Sequence, residues 1–380
     1  MALALTGARV FDGDRIRDGA AVVVERGLIA ALRPERELPA GIERRRVKGL
    51  LAPGFVDVQV NGGGGVLFNA DPTVDAIRAI GAAHRRFGTT GFLPTFITDR
   101  REKMRAAIDA VRAALEAGVP GVLGIHLEGP FLNPSRKGVH DAAQIRPFAD
   151  DDFALLTALG RGRTLVTLAP ECVPPGTIAR LAAAGVVVAA GHTAASYEAI
   201  RAARREGLTG ITHLFNAMPP PAARAPGPAG AALEDRDCWC GIIADLHHVS
   251  PALLRVALAA HGAERTMLVT DAMPTVGTSL AQFDLLGQTI RRDGGILAAP
   301  DGTLAGSDLD MATAVRNAVD RLGVPLEDAL RMASRAPAAF LRLDGERGRI
   351  APGLRADFVL LDDGLQTAAT WIGGAEAAPG

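Results

Sequence analysis

Short apolar runs rich in β-branched residues alternate along the chain with stretches of Ala, Arg, Glu and Leu whose apolar positions have a helical period. This alternation is typical of βα units around a parallel sheet. Eight runs are predicted to be strands, at 55–60, 91–96, 122–127, 165–168, 186–190, 210–214, 241–244 and 266–270. Helices are predicted between many of them, among others at 74–87, 101–117, 196–206 and 251–261. Eight such units predict an α/β fold in which a (β/α)8 TIM-type barrel closes.

The two ends of the chain follow another pattern. Residues 1 to about 50 contain a hairpin signal around Arg26-Gly27 and are predicted to form antiparallel strands, and the last part of the chain contains the apolar run 358–361. We predict that residues 1–52 and 343–380 form one small β-sandwich-like domain beside a catalytic barrel at 53–342. A Gly-rich stretch at 283–306 precedes predicted helices between about 310 and 341. The proline-rich segment 219–230 is predicted to be an ordered loop.

Composition narrows the classes of partner. The 380 residues suffice for a barrel of roughly 250 residues and a smaller module. The 41 Lys and Arg nearly balance the 42 Asp and Glu, so no global field favours nucleic acid or an anionic membrane, and an anionic ligand must be bound locally. An odd set of cysteines, Cys172, Cys238 and Cys240, indicates free thiols in a reducing compartment. Without a signal segment or a membrane-length apolar run, a cytoplasmic location is expected.

Polar residues end most of the predicted strands, at the edge where a barrel of this kind carries its active site. They include Asp57, Gln59, Asn61, Glu128, His192, His213, Asp245 and Asp271. A single histidine after a strand is more often a hydrogen-bonded structural residue. Several converging strand ends change that balance, because Glu128, His192 and His213 supply the three protein ligands of a catalytic zinc site that leaves a position for water. The sequence therefore predicts a divalent metal here.

A hydrolytic metal site also needs a group that takes a proton from water and returns it to the leaving amine. Asp271 is the candidate, because the end of the last strand would aim its carboxylate across the barrel mouth. A neighbouring cation should favour its ionised form. In another context, the sequence Asp-Ala-Met-Pro would predict an aspartate that caps a helix.

Several motifs occur in order along nearly the whole chain. They are PGFVDVQVNG (53–62), LPT (93–95), HLEGPF (126–131), KGVH (137–140), GHT (191–193), THLFNAM (212–218), VTDA (269–272) and LAGS (304–307). Together they resemble the motifs of N-acetylglucosamine-6-phosphate deacetylases of the amidohydrolase superfamily. The resemblance implies an enzyme that removes the acetyl group from N-acetylglucosamine-6-phosphate, giving glucosamine-6-phosphate and acetate.

The resemblance also assigns roles to individual residues. It implies that Glu128, His192 and His213 bind the metal, that Asp271 acts first as base and then as acid, and that His140 polarises the acetyl carbonyl and stabilises the oxyanion. Arg224 would provide charge-assisted hydrogen bonds to the phosphate. The implied substrate contacts are Val139, His140, Asn216, Ala217, Arg224, His248, Leu304, Ala305 and Gly306. A homodimer is also implied.

Two positions depart from the wider pattern. Many superfamily members have His-x-His after the first strand, whereas this chain has Gln59 and Asn61. Because amides ligate divalent metals poorly, we predict one divalent ion per subunit, Zn²⁺ in first place, with Fe²⁺, Co²⁺ and Mn²⁺ as alternatives. Leu246 stands where the resembled family usually has glycine, and its side chain is expected to narrow the sugar site or to move His248. Adjacent His247 leaves the choice of the ligand-facing histidine open.

The sequence leaves three other functions to consider. A deacetylase of another amino-sugar phosphate, such as N-acetylgalactosamine-6-phosphate, is the nearest alternative. A cyclic amidase is disfavoured, because paired histidines are missing after the first strand and Glu171 stands where a bridging lysine would be expected. A non-catalytic barrel relative would be favoured by losses among the metal ligands or Asp271, and none is seen.

Overall fold

The computed structural model describes residues 2–377. Its amino-terminal part is built from strands alone and a short 3-10 turn (Glu35–Glu37). The strands are β1 (Leu3–Thr6), β2 (Arg9–Phe11), β3 (Ile16–Arg17), β4 (Ala20–Glu25), β5 (Leu28–Pro34), β6 (Glu43–Arg46) and β7 (Leu50–Pro53).

The next strands belong to the barrel region and to the end of the chain. They are β8 (Phe55–Val60), β9 (Gly62–Gly63), β10 (Val66–Leu67), β11 (Thr89–Ile97), β12 (Gly124–Glu128), β13 (Arg163–Leu168), β14 (Val187–Ala190), β15 (Gly210–Ile211), β16 (Trp239–Ile243), β17 (Thr266–Val269), β18 (Gln282–Leu285), β19 (Gln288–Asp293), β20 (Ile296–Ala298), β21 (Phe358–Leu361), β22 (Thr367–Ile372) and β23 (Ala375–Glu376).

Helices lie between the barrel strands and after them. They are α1 (Val74–Arg85), α2 (Arg101–Glu116), α3 (Asp150–Leu156), α4 (Thr177–Ala183), α5 (Tyr197–Glu206), α6 (Gly227–Glu234), α7 (Pro251–His261), α8 (Met311–Asp320), α9 (Leu326–Ala333) and α10 (Arg335–Phe340). Short 3-10 turns occupy Pro134–Arg136, Ala142–Gln144 and Pro170–Cys172.

The predicted barrel is confirmed. Eight parallel strands follow the order β17-β16-β15-β14-β13-β12-β11-β8, with each neighbour next along the chain apart from the small hairpin β9–β10. A parallel bridge between Val60 and Ala272 and a 3.0 Å hydrogen bond from the Asp271 N–H to the Gln59 carbonyl join the last strand to the first. Both faces of these strands are buried, which explains their continuous apolar sequence.

Local signals place the helices between these strands. In α5, the Ser196 side chain accepts a hydrogen bond from the N–H of Ala199 and caps the start. Gly207, with φ 108°, ends the helix in a left-handed conformation that glycine adopts without strain. The helix presents Ile200 and Ala203 to the barrel, at the spacing that the sequence pattern predicted.

The predicted small domain contains strands from both ends of the chain. One sheet has the order β5-β4-β1-β6, and the other, β23-β22-β21-β7-β2-β3, joins amino-terminal strands to carboxyl-terminal ones. Side chains of the two sheets share one apolar cluster that includes Leu5, Val22, Phe358 and Trp371, so the sandwich-like arrangement is confirmed. The antiparallel pairing predicted at the amino terminus is present between β1 and β4, β4 and β5, and β2 and β3, whereas β6 and β7 pair parallel to β1 and β2.

Other details differ from the sequence prediction. The proline-rich segment 219–230 is a loop only to Pro226, since α6 begins at Gly227 with Pro228 in its first turn, where a missing N–H is tolerated. Within the Gly-rich stretch, β18, β19 and β20 form an antiparallel sheet. Cys172, Cys238 and Cys240 are free, as expected. Among residues 2–377, no helix combines the length and the apolar character needed to cross a membrane.

Candidate active site

Four predicted site residues lie where strands end at one mouth of the barrel. Glu128 is the last residue of β12, whereas His192, His213 and Asp271 each come two residues after the end of a strand, β14, β15 and β17 respectively. These three have φ values of 49°, 32° and 53°, in the left-handed region that few residues other than glycine adopt. The backbone therefore turns sharply as it leaves the sheet. Such strained conformations concentrate at functional sites.

The side chains of Glu128, His192 and His213 converge on one point. The His213 Nε2 lies 3.0 Å from the Glu128 Oε1 and 3.1 Å from the His192 Nε2. The His192 Nε2 lies 3.2 Å from the same carboxylate oxygen. Ligands about 2.0–2.1 Å from one tetrahedral ion are separated by about 3.4 Å, so these three atoms are close to the spacing that such an ion imposes.

His140 belongs to the same cluster. Its ring lies 4.3 Å from the His192 ring, centroid to centroid, and one ring nitrogen lies within 4.8 Å of the ligand atoms of Glu128 and His192. The His140 Nδ1 is 2.8 Å from the Thr98 hydroxyl, which leaves Nε2 to face the cavity. The ligand atoms of Glu128, His140 and His192 lie within 4.8 Å of one another, and the His213 Nε2 lies 3.0 Å from the Glu128 Oε1, so both His140 and His213 offer a nitrogen beside this pair.

The metal-ligand candidates are held in place from behind. The His192 Nδ1 lies 2.8 Å from the carbonyl oxygen of Arg136, which fixes the ring with Nε2 toward Glu128. Glu171 secures the loop that follows His192: its carboxylate accepts hydrogen bonds from the Thr193 hydroxyl (2.6 Å) and the Ala194 N–H (2.6 Å). Glu171, which stands where a cyclic amidase would have a bridging lysine, therefore fixes the loop after His192.

Asp271 faces the metal-ligand cluster and accepts two amide hydrogen bonds. Its Oδ1 lies 2.6 Å from the Asn61 Nδ2 and 3.1 Å from the Gln59 Nε2. The Gln59 amide also lies 3.2 Å from the Glu128 Oε2. The amides thus present N–H donors to two carboxylates at the positions where a histidine pair would bind a second cation. The number of metal ions stays a prediction.

The ionisable side chains of the site shift one another's pKa values. Burial would raise the pKa of Glu128, but the hydrogen bonds and charges of His192 and His213 hold that pKa well below its usual range. Burial would lower the pKa of His213, but the Glu128 carboxylate outweighs burial and raises it. A proton on an imidazole therefore balances the buried carboxylate, and a divalent cation would take over this task.

The donor set fits a divalent ion of the zinc class. One carboxylate oxygen and two imidazole nitrogens are buried side by side, and two nitrogen lone pairs aimed at one point need a cation or a shared proton between them. In metal sites of this kind the ring nitrogen that does not bind the ion usually has a hydrogen-bond partner. The His192 Nδ1 has one, the Arg136 carbonyl oxygen, whereas the buried Nδ1 of His213 has no hydrogen-bond partner among residues 2–377.

A second buried carboxylate supports the floor of the site. Asp57 accepts a 2.5 Å hydrogen bond from the Thr270 hydroxyl and lies 3.2 Å from the Gln59 N–H. Burial raises the pKa of Asp57 to about 7. Because Thr270 directly precedes Asp271, this carboxylate joins the first strand of the barrel to the last just below the candidate base.

These side chains open into a cavity of about 320 Å³, near the lower end of the range for small-molecule sites. Besides the four residues named first, the predicted residues that line it are Val139, His140, Asn216, Ala217, His248, Leu304 and Gly306. Lining residues that sequence reasoning did not assign are Asn61, Ile97, Ser135, Arg136, Gly138, Met273 and Thr303. Asn61 stands where a histidine ligand would be expected, and Ile97 is an apolar residue at the end of β11. Ser135 and Arg136 belong to a short 3-10 turn, and Gly138, Met273 and Thr303 lie in loops without a periodic signal.

Two predicted substrate contacts lie outside the cavity lining. Arg224 is exposed in a tight turn closed by the bridge between Ala222 and Ala225. Ala305 is fully buried and packs in a small apolar cluster beneath the lining residues Leu304 and Gly306.

The choice between the two adjacent histidines is resolved by their exposure. His247 is exposed, whereas His248 lines the cavity and its Nδ1 contacts the Asp245 carboxylate at 2.6 Å. Leu246 has φ 70°, a conformation typical of glycine, and its side chain packs against the barrel core instead of lining the cavity. Leu246 therefore does not narrow the cavity directly, and the other expectation, that it moves His248, stays a prediction.

Comparison with known proteins agrees with this geometry. The model of the amidohydrolase family matches residues 50–378. The chain belongs to the amidohydrolase family. A second model, the NagA composite domain, matches residues 3–51 of this amidohydrolase.

Similar proteins extend the match to nearly the full chain. This amidohydrolase is 42% identical over 371 residues to the N-acetylgalactosamine-6-phosphate deacetylase of Shewanella sp. (strain ANA-3), covering 97% of this chain and 94% of that protein. Its structure matches N-acetylglucosamine-6-phosphate deacetylase from Pasteurella multocida with a TM-score of 0.96 and 32% identity, covering 100% of both chains. An aspartate-to-alanine variant of the Mycobacterium smegmatis enzyme in complex with N-acetyl-D-glucosamine-6-phosphate matches with a TM-score of 0.90 and 35% identity, covering 99% and 98%.

Proposed function

We propose that this chain hydrolyses the N-acetyl group of N-acetylglucosamine-6-phosphate to give glucosamine-6-phosphate and acetate. The observation that carries the proposal is one cavity in which three metal-ligand atoms, an aspartate held by two amides and a buried histidine meet. A similar protein of known structure binds the same sugar phosphate. Glu128, His192 and His213 would hold one divalent ion, Zn²⁺ in first place, which supplies Lewis-acid polarisation and a lowered pKa of bound water.

The protein side chains divide the remaining work. Asp271 uses Oδ1 to accept the two amide bonds, and among residues 2–377 its Oδ2 accepts none, so Oδ2 is the oxygen that takes a proton from the attacking water. The water oxygen forms a bond to the acetyl carbon, and the carbon–nitrogen bond then breaks. Asp271 returns the proton to the leaving nitrogen, which departs as a neutral amine.

His140 has a different task in this scheme. Burial lowers the pKa of His140 well below its usual range, so the ring is neutral. The Thr98 hydroxyl lies 2.8 Å from the His140 Nδ1 and 3.3 Å from the Glu128 carbonyl oxygen, and it can donate to only one of them. If it donates to the nearer Nδ1, the ring hydrogen resides on Nε2, from which it would donate to the acetyl oxygen as negative charge develops during attack.

The test is acetate release from N-acetylglucosamine-6-phosphate by purified protein of measured metal content, with a chelator-treated sample and unphosphorylated N-acetylglucosamine as controls. We expect turnover of the phosphorylated sugar that a chelator abolishes. Metal-loaded protein that releases no acetate from it would refute the proposal.

N-acetylgalactosamine-6-phosphate is a second candidate substrate, because the 42% identical protein from Shewanella is named as its deacetylase. The ratio of kcat/KM for the two epimers, measured on one protein preparation, decides between them. The expected homodimer and cytoplasmic location rest on the sequence and stay predictions.

A further inference from the structure

His248 enters the active-site cavity with one of its two ring nitrogens already occupied. Its Nδ1 lies 2.6 Å from the Asp245 Oδ2. Within residues 2–377 its Nε2 makes no hydrogen bond, and unlike the Nδ1 of His213 it is not enclosed by protein atoms. Because His248 lines the cavity, Nε2 is the ring nitrogen that a ligand can reach.

Asp245 is held as a carboxylate that can only accept hydrogen bonds. Its Oδ1 accepts from the backbone N–H groups of His247 (2.9 Å) and His248 (3.0 Å), which leaves Oδ2 for the imidazole. Burial would raise the pKa of Asp245, but its hydrogen bonds with the His248 ring and with these N–H groups hold the pKa below its usual value. A carboxylate has no hydrogen to give, so the His248 Nδ1 carries the hydrogen of this contact.

The segment that carries Asp245 is fixed on both sides. The Asn317 side-chain amide of α8 donates to the Ala244 carbonyl at 2.8 Å. Leu246 packs against the barrel core, and Val249 is buried. The carboxylate therefore stands at a constant position behind the imidazole, and the ring cannot exchange its two nitrogens without breaking the contact with Asp245.

The tautomer of His248 decides what this side of the cavity offers to a ligand. A neutral imidazole carries one ring hydrogen, so a hydrogen on Nδ1 leaves a lone pair on Nε2. We infer that Asp245 is a positioning residue that sets this tautomer of His248, so that the cavity presents a hydrogen-bond acceptor to a hydroxyl of the sugar. The inference rests on the proposed function and adds to it a residue that does not touch the substrate.

The acceptor at His248 would discriminate between the groups of the substrate. A sugar hydroxyl can donate to Nε2, whereas the acetyl carbonyl and the oxygens of a phosphate dianion only accept and cannot. His140, by contrast, donates from its Nε2 in the proposed mechanism. The two histidines would thus offer opposite groups to one ligand, which favours a single orientation of the sugar.

Nitrogen-15 NMR of the Zn²⁺-loaded protein at about pH 8, where an ordinary histidine is neutral, tests the tautomer. We expect the wild type to carry hydrogen on the His248 Nδ1 and none on Nε2, with the signals identified by their loss in His248→Gln. Asp245→Asn keeps the size of the side chain, and its amide can donate to Nδ1, so this variant should move the ring hydrogen to Nε2. Asp320→Asn, at the exposed end of α8, is the matched control and should give the wild-type spectrum.

Calorimetry with glucosamine-6-phosphate tests whether Asp245 acts through His248. Asp245→Asn should weaken binding about three- to tenfold, because the sugar hydroxyl can then no longer donate to the ring. In a His248→Gln background the same substitution should change binding less than about twofold, since the ring that Asp245 orients is gone.

Three results would overturn the inference. The first is a wild-type His248 ring with hydrogen on Nε2 or on both nitrogens, and the second is an Asp245→Asn protein that keeps the wild-type tautomer. The third is a wild type that does not bind glucosamine-6-phosphate, or an equal loss of binding in both backgrounds, which would mean a general structural role for Asp245. If tautomer and binding follow the prediction but the wild type releases no acetate, the proposed function fails while the role of Asp245 stands.

Discussion

Asp271 shows how single residues divide the chemistry of the site. Its Oδ1 accepts the amides of Asn61 and Gln59, which orients the carboxylate and leaves Oδ2 toward the cavity. Asp271→Asn keeps the size of the side chain but removes the base. We expect kcat to fall by about a hundred- to ten-thousandfold with metal content and melting temperature retained. Near-normal kcat in a metal-loaded variant would exclude Asp271 as the base.

The pH profile should report the same carboxylate. Burial and the nearby charge of Glu128 raise the pKa of Asp271 to about 6, and a bound cation would lower it. The ionised form is the base, so kcat/KM falls as pH drops through this pKa, and the midpoint should lie at or below 6.

Asn61→Ala should move that acid limb to higher pH. The variant removes a donor that favours ionised Asp271, and one hydrogen bond to a charged group contributes about 1.5 kcal/mol, which corresponds to about one pH unit. The measurement is kcat/KM from pH 4 to 8 for both proteins. An acid limb that stays in place would show that Asn61 does not tune the base.

At the residue scale, strand ends were the informative signal. They predicted Glu128, His192, His213 and Asp271, because parallel strands bring their carboxyl ends to one edge. Arg136 and Thr303 could not be found this way, since a lone polar residue in a loop gives no indication of the direction of its side chain. The turn that leaves Arg224 exposed is likewise set by tertiary contacts that a motif does not contain.

Glu171 links separate elements of the barrel. It lies after β13, contacts the segment after β14 through Thr193 and Ala194, and contacts Asn133 after β12 at 3.0 Å. The loops that carry His192 and Arg136 are thereby tied to one carboxylate. These contacts predict that Glu171 supports metal affinity without touching the metal.

We expect Glu171→Ala to weaken metal binding about ten- to a hundredfold, because outer contacts orient metal-binding imidazoles. Competition with a metal-sensitive dye measures the affinity, and Glu198→Ala at the start of α5 serves as the exposed control. Unchanged metal affinity in Glu171→Ala would mean that the loops hold their positions without it.

The sequence predicted helices and strands most accurately where the apolar pattern was long. The predicted helix at 251–261 has the observed bounds of α7, because Pro251 at its first position and Gly262 after its end are strong local signals. In contrast, β15 has only two residues, since the chain turns out of the sheet at His213 instead of continuing to 214. The parallel pairing of β1 with β6 depends on distant contacts, and no local pattern encodes it.

At the scale of the whole molecule, the metal should contribute to stability as well as to activity. A buried cluster of one carboxylate and two imidazoles is more stable with a cation than with a shared proton. Free metal at about a hundred times its Kd stabilises the folded chain by about 2.7 kcal/mol, so chelation should lower the melting temperature by about 3–5 °C. Adding Zn²⁺ back should reverse the change, which calorimetric scans can follow.

Glu128→Gln provides the control for this effect. Its melting temperature should no longer respond to chelator, since the charge that attracts the cation is gone. If the melting temperature of the wild type does not change when the metal is removed, the site is rigid without the ion.

The sheet shared by the two chain ends has a consequence for how the protein is made. One edge of β7 pairs with β21, and roughly 300 residues separate the two strands along the chain. At about 5–20 residues per second, a ribosome needs about 15 to 60 seconds to deliver the second strand after the first. During this interval the β7 edge and the apolar residues around Leu51 are exposed, because β21 has not yet been synthesised. We therefore expect the incomplete chain to bind chaperones that protect exposed strand edges.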